Sequence, residues 1–130
     1  MTATPEAIEL AQLAARAADE LQASSIIAMD VSDQLALTDV FVVAAADNER
    51  QVDAIVDAVE DALLERKVKP VRREGRGQGR WVLLDFGDIV VHVQHEEERE
   101  FYALERLWRD CPTIDLALPA AAEPEAPEGA

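Results

Sequence analysis

The 130-residue sequence is poor in cysteine, in aromatic residues and in long apolar runs, and these shortages exclude several classes of protein. The single cysteine, Cys111, cannot form an intramolecular disulfide and has no second cysteine at a zinc-binding spacing. No apolar run approaches the ~18 residues that span a membrane. Residues 1–21 also lack the basic start and apolar stretch of a signal peptide. We therefore expect a cytoplasmic protein that makes no membrane contact and carries neither a metal nor a cofactor.

Positive charge is also scarce, because 12 lysines and arginines stand against 27 aspartates and glutamates and leave a net charge of −15. Tight binding to bare DNA or RNA depends on basic side chains that displace counterions from phosphates. The composition therefore favours a basic protein partner and little direct contact with nucleic acid. Seven of the twelve basic residues nevertheless fall within positions 66–80. This cluster leaves open an RNA-binding adapter that works through the segment from Arg66 to Arg80.

Hydrophobic spacing predicts helices and strands that alternate within a single domain. Apolar residues recur at helical spacing in residues 5–21, 52–63 and 101–108, and the first stripe comprises Leu10, Leu13, Ala14, Ala17 and Leu21. Residues 26–29 and 40–46 are predicted strands, and the second is apolar on both faces, as is typical of an interior strand. We expect an α/β fold over residues 1–118, with a mixed twisted sheet and flanking helices. A disordered acidic tail of alanine, proline and glutamate is expected over residues 119–130.

Residues 81–94 predict a β-hairpin whose two faces differ in chemistry. A two-residue turn at Gly87 and Asp88, with glycine first, is typical of a type II′ turn. This turn places one set of apolar side chains on a core face: Val82, Leu84, Phe86, Ile89, Val91 and Val93. Side chains alternate along a strand, so the remaining residues share the opposite side, which we call the mixed face: Trp81, Leu83, Asp85, Val90, His92 and Gln94.

Asp85 and His92 are the candidates for acid–base chemistry on the mixed face. Diagonal neighbours on antiparallel strands lie about 7 to 8 Å apart, a gap that these side chains can bridge. A structural hydrogen bond is the alternative interpretation, and no serine or cysteine is placed as a nucleophile. The acidic residues within 96–100 are typical of a solvated surface rather than of a metal cage. We therefore expect no catalytic residue and no metal ligand.

A set of motifs with regular order and spacing runs through about residues 8–112. Its segments are Asp39-Val-Phe-Val-Val, Arg50-Gln51-Val52, Glu74-Gly75, Trp81-Val-Leu-Leu-Asp85-Phe-Gly-Asp88-Ile-Val-Val-His92 and Arg99-x-Phe-Tyr102-x-Leu-Glu105-x-Leu-Trp108. Together these segments resemble the ribosomal silencing factor family, also called Iojap. The tail of residues 119–130 lies outside the resemblance.

The resemblance implies a translational repressor that acts on the ribosome. Members of the family bind the large ribosomal subunit through the basic ribosomal protein L fourteen, block its association with the small subunit and silence translation when nutrients are scarce. The implied α/β fold is similar to that of nucleotidyltransferases, but this sequence lacks the Gly-Ser helix start and the paired metal-binding aspartates of the active enzymes. The predicted contact patch comprises Trp81, Leu83, Asp85, His92, Tyr102, Glu105 and Trp108, to which Glu74, Asp88 and Arg99 are added. Trp108 also lies on the apolar stripe of its helix, which favours a core position.

Two further interpretations stay open at this point. A metal-dependent enzyme of nucleotidyltransferase type would use Asp85, Asp88 and a further carboxylate such as Asp39. The mixed face is also partly apolar, and apolar patches often pair with a second copy of themselves. A homodimer of the free protein through this face is therefore an open expectation.

Overall fold

A five-stranded mixed sheet with two helices on one face makes up the computed structural model, which describes residues 3–75, 80–97 and 109–118. The elements are α1 (Pro5–Glu20), β1 (Ser25–Asp30), β2 (Val40–Ala46), α2 (Glu49–Leu64), β3 (Arg72–Glu74), β4 (Trp81–Asp85) and β5 (Ile89–His95). The strand order is β1-β2-β5-β4-β3, in which β2 and β5 run parallel and the other neighbours run antiparallel. This architecture confirms the predicted α/β class.

Both helices begin at polar caps that the sequence supplies. The Thr4 hydroxyl accepts a hydrogen bond from the Ala7 N–H at 3.1 Å, and the Asn48 side-chain oxygen accepts one from the Gln51 N–H at 2.8 Å. Each bond satisfies a backbone donor that the first helical turn leaves without a partner. Helix α2 then buries the predicted stripe in full: Val52, Ile55, Val56, Val59 and Leu63.

The stripe that α1 buries includes Ala14 and Ala17 of the predicted stripe but not its leucines. Leu10 and Leu13 are only partly buried and pack at the flanks of the core. The buried side of the helix consists of alanines instead: Ala7, Ala11, Ala14, Ala15, Ala17 and Ala18. Alanine extends no further than Cβ, so it fills the space where the backbone of α1 comes close to those of β2 and α2. A search for large apolar residues therefore overlooks most of this contact.

The hairpin of β4 and β5 has the predicted register. Leu84 lies opposite Val91, and the Phe86 N–H donates to the Ile89 carbonyl at 2.9 Å across the turn. Gly87 has a φ of +94°, as the first central position of a type II′ turn requires. The apolar face of the hairpin is consequently buried beneath α1 and α2.

A second, smaller apolar cluster lies on the sheet face opposite the helices. Its buried members are Met29, Val31 and Val43, and Phe41 and Trp81 pack against it. Strand β2 therefore contributes apolar side chains to both faces, as the sequence predicts for an interior strand. The mixed face of the hairpin continues this cluster across the sheet.

Residues 112–114 close the outer edge of β1. The Asp30 N–H donates to the Pro112 carbonyl at 2.8 Å, and the Ile114 N–H donates to the Ala28 carbonyl at 3.0 Å. The predicted helix of residues 101–108 and the predicted tail of residues 119–130 lie outside the described residues. Within the described part of the chain, no helix has the length and apolar character needed to cross a bilayer.

Two glycines of the hairpin region should respond differently to substitution by alanine. Gly75 has a φ of +80°, and a Cβ at this position would overlap the carbonyl oxygen of Trp81. Gly87 has a similar φ, but its Cβ would meet open space. The free energy of unfolding of Gly87→Ala should therefore be lower by about 1–2 kcal/mol, because alanine disfavours the left-handed backbone. The free energy of unfolding of Gly75→Ala should be lower by a further ~1–3 kcal/mol, because the added Cβ overlaps the Trp81 carbonyl oxygen.

Urea unfolding of the two variants and the parent chain tests this difference. Equal midpoints for Gly75→Ala and Gly87→Ala would show that the Gly75 backbone is not held against Trp81. Circular dichroism at zero urea checks that both variants retain the parent secondary structure.

Candidate functional site

The centre of the mixed face is a contact between Trp81 and His92. Leu83 lies directly opposite His92 in the hairpin, so Trp81 is the diagonal neighbour of the imidazole. The Trp81 indole N–H donates to His92 Nδ1 at 3.2 Å, and the two ring centroids are 6.0 Å apart. Phe41 packs on the imidazole from β2, with its ring centroid 5.0 Å away. The adjacent strands β2, β5 and β4 therefore each contribute one ring to a single aromatic cluster.

His92 lies below the protein surface, because only 5% of the residue is exposed. This burial lowers the pKa of His92 to about 4, since the charged imidazolium would lose its hydration. The imidazole is therefore neutral at pH 7. The sequence analysis placed His92 in the predicted contact patch, and in the structure its side chain is buried beneath the surface of the mixed face.

Two more polar groups are buried beside the aromatic contact. Gln94 lies opposite Trp81 and is fully buried, and neither its amide oxygen nor its amide nitrogen has a hydrogen-bond partner within the described residues. The same holds for Nε2 of His92. Each such group costs on the order of 1–3 kcal/mol when it is left unsatisfied. Packing alone would favour apolar residues at both positions.

Charged side chains occupy the outer part of the mixed face. Arg72 on β3 lies directly opposite Asp85 on β4, with 3.9 Å between its Nη2 and the Asp85 Oδ2. Its Nε is also 3.4 Å from the Glu74 carboxylate. The other Asp85 oxygen accepts the Gly87 N–H at 2.9 Å. Arg72 thus bridges two carboxylates that the sequence assigned to the contact patch.

A surface cavity of about 330 Å³ opens at this edge and is lined by Glu74, Gly75, Trp81 and Leu83. Its wall combines an indole, an aliphatic side chain and one carboxylate. Three predicted patch residues, Glu74, Trp81 and Leu83, are therefore brought together here. A cavity of this kind can receive one side chain of a partner protein.

The structure separates Asp88 from the other predicted residues. Asp88 lines a different cavity, on the helix side of the sheet, together with Glu6, Glu9 and Arg66. Asp88 belongs to the turn between β4 and β5 and does not lie on the mixed face. Four further predicted contact residues lie outside the described residues: Arg99, Tyr102, Glu105 and Trp108.

The carboxylates proposed for acid–base or metal chemistry do not converge on one site. Asp85 bonds to Gly87 and Arg72, whereas His92 bonds to Trp81, so these two side chains are engaged separately. Asp39 accepts the Thr4 N–H at 2.9 Å. Within residues 3–75, 80–97 and 109–118 there is no group of three or more histidine, cysteine, aspartate or glutamate side chains that could hold a metal ion.

Much of the basic segment is paired with acids of the same chain. Arg66 contacts Glu9 at 2.7 Å, and Arg73 contacts Glu60 at 2.8 Å. Arg80 lies 2.9 Å from Glu97 and 3.6 Å from Glu49, and Arg72 is paired as described above. These ion pairs reduce the positive charge that the segment could offer to phosphates.

Three residues of this region were not among the predicted contacts. Arg72 joins the charged edge, Phe41 packs on the imidazole, and Gly75 lines the cavity. Arg72 reaches this edge because β3 pairs with β4 and places it opposite Asp85. Phe41 was not accessible to sequence reasoning, because its contact depends on the parallel pairing of β2 with β5, which joins segments distant in sequence.

The described residues form an α/β domain with a five-stranded mixed sheet and two helices on one face. A crystal structure of a Chromobacterium violaceum protein superposes with a TM-score of 0.75 at 37% identity, covering 87% of this chain and 93% of that one. The family model described as "Ribosomal silencing factor during starvation" matches residues 4–129. The chain belongs to this family.

Two curated relatives have the same name, ribosomal silencing factor RsfS. The protein of Halalkalibacterium halodurans is 41% identical over 108 residues, which is 83% of this chain and 92% of the relative. That of Bacillus subtilis is 39% identical over 105 residues, which is 81% of this chain and 89% of the relative. The resemblance inferred from the motifs is thereby confirmed.

Burial of His92 should make stability depend on pH in a defined window. The folded-state pKa is about 4 and the unfolded value is 6.5, so the unfolded chain binds a proton first as the pH falls. The free energy of unfolding should therefore decrease between pH 6.5 and pH 4. The contribution of this residue is at most about 1.4 kcal/mol per pH unit.

Urea unfolding at several pH values, on the parent chain and on His92→Asn, isolates this contribution from that of the carboxylates. The parent curve should be steeper over the window. Parallel curves for the two proteins would show that His92 titrates normally and is not held neutral by burial.

Proposed function

We propose that this chain binds the large ribosomal subunit through the basic ribosomal protein L fourteen and thereby prevents the small subunit from joining. The observation that carries the proposal is the mixed face, where a partly exposed tryptophan stands beside a cavity and two carboxylates. Membership of the ribosomal silencing factor family supports an association with the ribosome. Under this proposal the protein works in the cytoplasm as a repressor of translation.

Charge supports a protein partner rather than ribosomal RNA. The chain carries a net charge of −15, so phosphates repel it at a distance, whereas a basic protein attracts it. Glu74 and Asp85 place two carboxylates beside Trp81, and Arg72 neutralises only part of their charge. Complementary charge accelerates the encounter and orients the two surfaces, and the apolar contact at Trp81 then slows dissociation.

The mechanism requires occupancy of a surface and no chemical turnover. A protein of 14.3 kDa on the joining face of the large subunit would exclude the small subunit by its volume. Repression then depends on the residence time of the complex relative to the rate at which subunits meet. Binding through the mixed face would also prevent a homodimer of the free protein through the same face.

Sedimentation through sucrose gradients with purified subunits tests the proposal, and Trp81→Ala tests the face. The parent chain should sediment with the large subunit and reduce the amount of joined ribosomes. Trp81→Ala should lose about 2 kcal/mol or more of binding free energy, as expected of an aromatic anchor. A chain ending at residue 118 should behave like the full chain if residues 1–118 are the binding unit.

Leu64→Ala is the matched control, because Leu64 is a 49% exposed apolar residue on α2, on the other side of the sheet. It should bind as the parent does. Failure of the parent chain to sediment with either subunit would refute the proposed function. Equal binding by Trp81→Ala and Leu64→Ala would place the contact elsewhere on the molecule.

Asp85→Asn should separate electrostatic steering from a buried contact. An asparagine oxygen can still accept the Gly87 N–H, so the turn is preserved while one negative charge is removed. We expect a slower association rate at low ionic strength and little difference at high salt, because exposed charges are screened over about 10 Å at 0.1 M. Association rates at two salt concentrations measure this. A loss of affinity that persists at high salt would instead place Asp85 in a desolvated contact.

A further inference from the structure

The Trp81–His92 hydrogen bond determines the tautomer of the His92 imidazole. An indole N–H can only donate, so His92 Nδ1 must be the acceptor and carry no proton. In the neutral imidazole the single proton then resides on Nε2. The bond therefore requires one tautomer of one charge state.

The surroundings of His92 hold the acceptor in place. The imidazole is buried and lies between the Phe41 ring on β2 and the Trp81 ring on β4, with centroid distances of 5.0 and 6.0 Å. Its backbone belongs to β5, which pairs with β2 on one side and β4 on the other. The imidazole is thus a rigid part of the sheet.

Trp81, in contrast, stands at the surface and at the start of β4. It is partly exposed and lines the cavity at the sheet edge. A tryptophan at the end of a strand has two side-chain torsions to restrain. The bond to His92 restrains them by tying the polar atom of the indole to the interior.

We propose that His92 is a positioning residue of the binding face: its Nδ1 holds the Trp81 indole in the orientation in which the ring forms one wall of the cavity. This inference rests on the proposed function in that Trp81 is taken as the anchor for the partner. The indole N–H is engaged inside the protein, so the partner contacts the apolar ring. Pre-orientation of the ring removes part of the entropy loss on binding.

The bond itself is tested on the unaltered, nitrogen-15-labelled protein. A through-bond scalar coupling between Trp81 Nε1 and His92 Nδ1 should be detectable by NMR, and the imidazole nitrogen shifts should report Nδ1 unprotonated and Nε2 protonated. Trp81→Phe assigns the indole resonance. Protonated Nδ1, or an indole resonance insensitive to His92, would overturn the proposal irrespective of ribosome binding.

Two substitutions of His92 test its effect on binding. In His92→Asn the amide oxygen can occupy the place of Nδ1 and keep the acceptor, whereas His92→Leu has a similar size and no acceptor. His92→Leu should weaken binding to the large subunit about five- to tenfold, as expected for the loss of one hydrogen bond, and shift the indole resonance. His92→Asn should keep most of the binding affinity and leave the indole resonance close to its position in the parent chain. His95→Asn, at the other histidine of the chain, is the matched control and should change neither.

A double-mutant cycle separates positioning from general destabilisation. Added to Trp81→Ala, the His92→Leu substitution should weaken binding no further, because the ring it positions is gone. An equal loss in both backgrounds would show that His92 acts on the fold as a whole and would overturn the proposal.

If Trp81→Ala binds as the parent does, the predicted contact patch fails, and so does the role of His92 in binding. If His92→Leu does not fold, the proposal is tested by the binding affinity of His92→Asn and by the scalar coupling in the unaltered protein.

Discussion

The register of the β4–β5 hairpin is the constraint on which the rest of the structure depends. Gly87 adopts a positive φ that closes a two-residue turn, and this turn decides which strand residues face each other. A shift of one residue would exchange the two faces and place Trp81 and His92 among the alanines and valines of the helix side. The same turn therefore positions the main core and the mixed face.

The two faces of the sheet are stabilised in different ways. On the helix side, small residues of α1 and branched residues of α2 pack densely against β2, β4 and β5. On the mixed face, His92 and Gln94 bury polar atoms, and the imidazole of His92 packs against the Phe41 and Trp81 rings. Polar groups in such positions reduce stability, so their presence is better explained by what the face does than by what it contributes to folding. Positioning of Trp81 is one such role for His92.

Sequence patterns predicted the local features of this protein better than the contacts between distant segments. The stripe of α2 and the hairpin register follow from spacing and turn chemistry, and both are confirmed. For α1 the spacing correctly placed Ala14 and Ala17 on the buried side, whereas Leu10 and Leu13 of the same stripe are only partly buried, because the close approach of two backbones favours alanine. The burial of His92 was missed, because Phe41 reaches it only through the parallel pairing of β2 and β5. Residues of the candidate patch beyond position 97 lie outside this comparison.

The internal bond of Trp81 also bears on how a partner would be chosen. A tryptophan whose N–H is free selects partners that present an acceptor, because an unsatisfied donor in a buried interface is costly. Here the donor is satisfied by His92 before any partner arrives, so the ring can cover aliphatic or cationic surface without that requirement. Specificity must then come from the charges around the ring. Glu74 and Asp85, held by Arg72, are the described groups that can supply it, and they favour a partner rich in lysine and arginine.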